Sequence, residues 1–515
     1  MSKYVLALDS GTQSSRALLF DERGEVLGKA QHKHAPMLHP TLGAVEQDPR
    51  DIRGCLFASI KQCIAEWGGD TSQISGAALT TQRNTMLATD AAGEPLCNLV
   101  SWLDRRSAGI DSEPSSLIRL VLKAMGKNGL VPRLLSKSVP RQWRESAPQM
   151  LERAHWVAPI EAWLHHQLTG EMALAPGGIA GPWPLDTKKR CWTDSAIMYK
   201  LLGFKHEWLP RIVEAGQLIG RLTPEAAQLC GLNSGLPIYS CGGDKQAEAM
   251  GAGVRLGRKD VAAVSLGTGS SISVPWPKAL THRKYDYITM ASCEPGSWSL
   301  EYLLFRGIWT VRWFAQELGG DLISESDISG EPVEALLCRE AEGAPAGSDG
   351  LLTWPRWSPT LQHPHETGTS VGFRETHNRG HFFRSLLEGI AYDLRRGLEI
   401  VDRATGSPVK TLAVGGGGSR SDVVVQILAD VTGLPIRRPH SEELAARGAA
   451  IVAAAASGLH PDLETAVETM VPDAPLVEPI PENHRLYQRI YRRAYLPGLK
   501  ILRKTSDALA SAYRI

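Results

Sequence analysis

The sequence predicts an α/β protein of two domains, each with a substantial sheet, and three observations carry that expectation. At 515 residues the chain exceeds what one hydrophobic core ordinarily supports. Short apolar runs of strand character alternate with amphipathic helical stretches, most clearly toward the C-terminus. One local plan (apolar strand, turn containing Gly-Thr, returning apolar strand) also occurs early in each half, as in a duplicated domain.

Taken in order, Tyr4 to Leu8 reads as a buried strand, Asp9 to Ser15 as a polar turn and Arg16 to Phe20 as a second strand. A turn at Asp21 to Gly24 leads into Glu25 to Ala30, so an antiparallel meander opens the chain. Asp48 and Pro49 supply an N-cap and a first-turn proline for a helix whose apolar face is Ile52, Leu56, Ile60, Cys63, Ile64 and Trp67. Ile74 to Leu79 is the next strand and ends in the polar cluster Thr80 to Asn84. Ser112 to Glu145 is basic (Lys123, Lys127, Arg133, Lys137, Arg141, Arg144) and irregular, and is expected to be a surface excursion. Leu236 to Tyr239 is a strand ending in Gly242-Gly243-Asp244 before a small-residue helix. The second hairpin follows as Val261 to Leu266, a turn at Gly267 to Ser271, and Ile272 to Val274. Phe383, Leu386, Leu387, Ile390, Ala391, Leu394 and Leu398 recur at helical spacing. Thr411 to Val414 is a strand entering Gly415 to Ser419, and a helix carrying Val424, Ile427, Leu428 and Val431 is stopped by Gly433 with Pro435 beyond. The domains are expected to divide as 1–252 and 253–515.

Bulk properties exclude several classes. A formal net charge of +1 gives no global attraction to nucleic acid or an anionic membrane. No run approaches the roughly 18 apolar residues of a membrane span, and the apolar start is too short for a signal peptide. The eight cysteines are scattered without a Cys-x-x-Cys pair, which reads as core or incidental thiols and a cytoplasmic protein.

Four segments carry the residue types of phosphate chemistry. Asp9-Ser10-Gly11-Thr12-Gln13-Ser14-Ser15-Arg16 offers backbone N–H groups, hydroxyls and a cation to phosphate oxygens, and Asp9 a hard oxygen ligand for Mg²⁺; a plain polar hairpin is the competing reading. Gly267-Thr268-Gly269-Ser270 repeats the theme, so two facing hairpins can clamp a triphosphate. Gly415 to Ser419 before a helix lets backbone approach a nucleotide closely. Asp244, after two glycines, suits the base that takes a proton from an attacking hydroxyl, or else simply caps its helix. A dinucleotide fingerprint and a Gly-x-x-x-x-Gly-Lys-Ser/Thr loop are both missing, and His363 with His365 has no third metal ligand in sequence reach.

In this order the segments resemble the FGGY carbohydrate kinase family, which includes glycerol kinase, xylulokinase and ribulokinase. Phe383 to Ala391, Leu428-Ala429-Asp430, Arg447 to Ala450, Trp102 to Arg106 and Leu168 to Glu171 add to the likeness, which spans nearly the whole chain. The resemblance implies two actin-like (ribonuclease-H-like) domains with an interdomain cleft, ATP bound mainly by the second and the sugar mainly by the first. It implies Mg²⁺ held with help from Asp9, and Asp244 as catalytic base. Thr12, Gln13, Ser14, Arg16, Gly267 and Thr268 would lie on phosphate, Gly416, Gly417 and Ser419 on the nucleotide, and Gln82, Arg83, Asn84, Asp244 and Lys245 at the sugar. It also allows a homodimer.

Departures from the family shape the substrate expectation. Gln82-Arg83-Asn84-Thr85 stands where glycerol kinase has Gln-Arg-Glu-Thr, so Asn84 removes a polyol-binding carboxylate. Within Leu135 to Trp143 the tyrosine of glycerol kinase has no clear counterpart, Pro140 to Trp143 is a shortened, imperfect version of the family's Trp-containing signature, and Lys245 replaces a neutral amide or small residue after the base. A ketopentose such as xylulose is the first expectation, with glycerol, another polyol or an acid sugar of the gluconate type as alternatives. Lys245 and Arg83 would serve the acid, unless Lys245 points to solvent or supports Asp244. Outside this class stand an actin- or chaperone-type ATPase and a catalytically silent sugar-binding relative.

Overall fold

The computed structural model describes residues 3–109, 134–267, 269–281, 287–360, 363–439 and 443–513. Two mixed sheets organise the chain. The first runs Leu218–Arg221, Pro237–Gly243, Ile74–Thr81, Tyr4–Ser10, Ser14–Asp21, Val26–Lys33. The second runs Ile288–Ala291, Trp298–Leu304, Ser270–Trp276, Val261–Leu266, Thr411–Gly415, Ile436–Arg437, Leu476–Val477. In each, an antiparallel meander lies on one side of a central strand and two parallel strands on the other. The repeated plan read from the two hairpins is thus a repeat of whole-sheet topology.

The sheet strands are buried on both faces, which is why they read as apolar runs. Leu6 and Leu8 of the first strand join a core with the helix Pro49–Trp67, while Val5 and Ala7 face the opposite way. That helix starts as expected, with the Asp48 side chain accepting the Arg50 N–H and Pro49 in its first turn. The first hairpin is tighter than the sequence suggests. Strand pairing continues to Asp9 opposite Arg16 and Ser10 opposite Ser15, so the turn is reduced to Gly11, Thr12 and Gln13. Backbone pairing wins here because the buried Ser10 and Ser15 hydroxyls bond each other at 3.0 Å.

Two further expectations change. The opposite face of the first sheet is covered by the helices Asp244–Gly251, Leu444–Ala456 and Leu463–Met470, so Ala446 to Ala454 and Met470 belong to the core of Val5, Ala7, Leu18 and Phe20. A single cut at 252/253 therefore does not separate the packed cores. The Asp244 and Leu444 helices lie between the sheets, since Ala249, Ala252 and Leu444 also pack on Val261, Ala263 and Ala413. They touch through glycines: a Cβ at Gly448 would fall 1.9 Å from the Ala247 carbonyl oxygen, and one at Gly251 1.9 Å from that of Leu444.

The basic segment is also not wholly irregular. Residues 112–133 lie outside the described residues, but Val139–Ser146 is a helix with Trp143 and Arg141 buried, and Arg141 donates to the Leu201 carbonyl at 2.6 Å. The C-terminal signature helix runs over Arg379–Thr405, opened by an Asn378–His381 capping box. Among the described residues no helix is long and apolar enough to cross a membrane, and all eight cysteines are free thiols.

Candidate active site

The corner that carries Asp244 is made by a kink. The strand Pro237–Gly243 pairs with Ile74–Thr81, but its register slips between Ser240 and Gly242, and Gly242 adopts φ 123°, a conformation only glycine takes readily. The Thr80 hydroxyl donates to the Gly242 carbonyl at 2.8 Å and pins the bulge. Asp244 follows as the first residue of its helix, its Oδ1 accepting the Lys245 N–H at 2.8 Å and its side chain 30% exposed. The helix N-terminus favours the carboxylate, and the partial exposure leaves an oxygen able to take a proton.

Around Asp244 the two hairpins and the glycine run converge. Asp9 ends the first strand, its Oδ2 3.4 Å from Arg16 Nη1. Burial pushes its carboxyl up to about 7, against the pull of Arg16, with Asp244, Glu443 and Glu248 adding to the rise. A divalent cation would draw such a group to its anionic form, so Asp9 fits the role of a Mg²⁺ ligand. No group of three His, Cys, Asp or Glu that could hold a metal is found among the described residues, His363 and His365 included.

The glycines form a cradle that side chains would fill. A Cβ on Gly417 would meet nothing within 4 Å, and those on Gly11 and Gly269 only one carbonyl oxygen each at 3.8 Å. Gly416, at φ 80°, instead packs down on the second hairpin, where a Cβ would lie 2.9 Å from the Leu266 carbonyl carbon and 3.0 Å from the Gly267 nitrogen. Open glycine backbone on both hairpins and the third loop suits phosphates and nucleotide. Thr268 lies outside the described residues.

Several expected ligands are already engaged. Arg16 is shared between Asp9 and Glu443, the latter at 3.2 Å. Ser14 is buried on the second strand, with its hydroxyl accepting from Gln31 Nε2 at 2.8 Å. The Ser419 hydroxyl closes its own turn onto the Gly416 carbonyl at 2.7 Å. Thr12 Oγ1 accepts the Trp102 indole N–H at 3.0 Å, while Gln13 is exposed. These side chains shape the loops, and the backbone and glycines are left to face a ligand.

The sugar-side residues also differ from expectation. Gln82 is buried, donating to Gln47 Oε1 at 2.9 Å. Asn84 sits at φ 55° with its side chain against Gly181, where a Cβ would collide with Oδ1. Arg83 lies over Gly243, its Nε 3.8 Å from Asp244 Oδ1, and its Nη1 donates to both oxygens of Glu301 at 3.1 and 3.0 Å. Lys245 neither points to solvent nor stands free for a substrate acid. Its Nζ bridges Glu248 Oε2 at 2.9 Å and Ser265 Oγ at 2.7 Å, below Gly267.

Glu301, Gln246, Glu248 and Glu443 do not stand out in the sequence, although each touches this site. One signal was present: Glu301 is a lone charge inside the apolar run Trp298 to Leu304, and a buried strand tolerates a carboxylate only with a partner.

Comparison with known proteins places the chain among carbohydrate kinases. The profile of the FGGY family of carbohydrate kinases, N-terminal domain, matches residues 4–251, and that of the C-terminal domain matches 262–457. An uncharacterized sugar kinase of Escherichia coli K12 is 28% identical, covering 98% of this chain and 94% of its own. A glycerol kinase of Dechloromonas aromatica is 30% identical, covering 89% and 90%. The crystal structure of a xylulose kinase from Rhodospirillum rubrum superposes with a TM-score of 0.76 at 23% identity, covering 99% of each chain. The fold is that of two actin-like (ribonuclease-H-like) α/β domains, as expected.

Proposed function

The chain belongs to the FGGY family of carbohydrate kinases, and we propose that it transfers the γ-phosphoryl group of ATP to a hydroxyl of a small sugar or polyol, with a ketopentose such as xylulose first in line. The observation that carries this reading is the placement of Asp244: a partly exposed carboxylate at a helix N-terminus, between two open glycine hairpins and beside the Arg83–Asn84 segment.

In this reading Asp244 accepts the proton of the attacking hydroxyl, and Arg83 and Asn84 line the acceptor side. Backbone N–H groups of both hairpins orient the phosphates, and Gly417 lies against the nucleotide on a loop that Gly416 packs onto the second hairpin. Asp9 would help to hold Mg²⁺, which would supply charge neutralisation on the phosphate oxygens. The Asp244 and Leu444 helices join the two sheets at the seam, so apposition of the domains would exclude water and limit wasteful hydrolysis. Asn84 in place of a carboxylate favours a ketose over glycerol, although the Dechloromonas relative is a glycerol kinase.

The test is ADP release in a coupled assay over pentuloses, hexuloses, polyols, glycerol and aldonic acids. One compound should stimulate turnover, and Asp244→Asn should reduce it by about a thousandfold or more while nucleotide binding survives. Undiminished turnover in that variant would remove Asp244 from the chemistry.

A further inference from the structure

We propose that Glu301 sets the charge selectivity of the acceptor pocket: by neutralising Arg83 it makes the site accept an uncharged ketose or polyol and turn away an acid sugar. The inference rests on the kinase reading above for the pocket's identity, and on the side-chain geometry for the selectivity.

Glu301 lies inside the second sheet, opposite Ser273 on one neighbouring strand and Ile288 on the other, and is 1% exposed. Its partners come from the first domain. Arg83 Nη1 donates to both carboxylate oxygens, and Gln246 Nε2 donates to Oε1 at 2.8 Å. A buried carboxylate is tolerable when a cation and further donors surround it, and Glu301 has both. Arg83 is held in a fixed path. It crosses the bare backbone of Gly243, where a Cβ would lie 2.4 Å from its Cγ and Cδ, and so runs past Asp244 to reach Glu301.

The pocket is therefore short of free positive charge. The guanidinium that the sequence offers to an acidic substrate is paired with Glu301, and the Lys245 ammonium with Glu248 and Ser265. Asp244 and Asp9 add carboxyl groups to the same region. A substrate carboxylate beside Asp244 would lose its hydration and find no uncommitted cation among the described residues named here, while hydroxyls lose little because neutral and charged oxygens alike can bond them. This is selection by exclusion, with Glu301 acting as a positioning residue through Arg83.

The test uses the full-length enzyme, Glu301→Gln and Glu301→Asp, with D-xylulose or the best uncharged sugar of the panel and the aldonic acid of equal carbon number as probes. Binding is read by calorimetry and turnover by ADP release. Wild type should favour the uncharged sugar. Glu301→Gln should shift both the Kd ratio and the kcat/KM ratio toward the acid by about tenfold or more, and Glu301→Asp, which keeps the charge on a shorter arm, by less. The proposal is overturned if folded Glu301→Gln keeps the wild-type ratios, if Glu301→Asp matches wild type where Glu301→Gln does not fold, or if wild type itself prefers the acid. A shifted binding ratio without sugar-stimulated turnover would uphold Glu301's role and sink the kinase reading, whereas turnover with unshifted ratios would do the reverse.

Discussion

Glu161 offers a stability test whose size follows from its surroundings. It lies in the helix Ile160–Thr169, 1% exposed, with Oε1 accepting the Ala175 N–H at 3.0 Å and Oε2 buried without a partner among the described residues. The neighbouring wall is Gly178, where a Cβ would lie 1.7 Å from Oε2. Burial pushes the carboxyl from 4.5 up to about 8, opposed by the single Ala175 hydrogen bond. Between those values the folded protein keeps a proton that the unfolded chain has released. The native state is thus favoured fully below about 4.5, and the advantage is lost as pH rises through about 8. At about 1.4 kcal/mol per pH unit, the burden of Glu161 is about 1 kcal/mol at pH 5 and about 4 kcal/mol at pH 8. Glu161→Gln has nearly the same shape, keeps an acceptor for Ala175 and carries no charge. Relative to wild type it should gain about 3 kcal/mol between pH 5 and pH 8, or about 3 °C in melting temperature for a chain of this length. Melting curves followed by tryptophan fluorescence at pH 5, 6.5 and 8 provide the reading. Parallel pH profiles for the two proteins would refute the reasoning, because any pH-independent packing change displaces both ends equally.

Four other substitutions probe separate features. Gly448→Val places a side chain against the Ala247 backbone, which no rotamer relieves, and should destabilise by about 3 kcal/mol or more in urea denaturation; an unchanged midpoint would mean that the two seam helices can separate freely. Gly417→Ala should leave melting unchanged yet raise KM for ATP about tenfold, while Gly416→Ala, strained at φ 80°, should lower the melting temperature itself; comparing steady-state kinetics with melting separates the pair. Arg356→Met strips the cation from Asp393, which is fully buried and 2.8 Å away, and should cost about 3–5 kcal/mol by chemical denaturation.

Much of this architecture was legible in the sequence because local signals and tertiary burial agree. The Asp48–Pro49 start, the strand Val261–Leu266 and the Gly433 stop each combine a backbone rule with an apolar pattern. Asp244 was legible for the same reason, since two glycines at a strand end announce a kink. What the sequence hid depends on partners far along the chain. Ser14 and Arg16 look available until Gln31 and Glu443 are brought beside them. Arg83 and Lys245 look like two free cations until Glu301 and Glu248 pair with them. The run Leu444–Ala456 falls in the half expected to form the second domain, and only its small residues hint that another helix lies almost at backbone contact.

That returning helix bears on how the chain matures on the ribosome. When residue 252 has been made, Val5, Ala7, Leu18 and Phe20 still await Ala446 to Ala454 and Met470, which cover them in the finished protein. The first sheet must wait, half-clad, for a segment that emerges only after the second sheet's central strands have been translated. A fragment ending at the apparent boundary would expose that apolar face and aggregate, and the first domain would become soluble on its own only if the Leu444–Met470 segment were spliced back onto it.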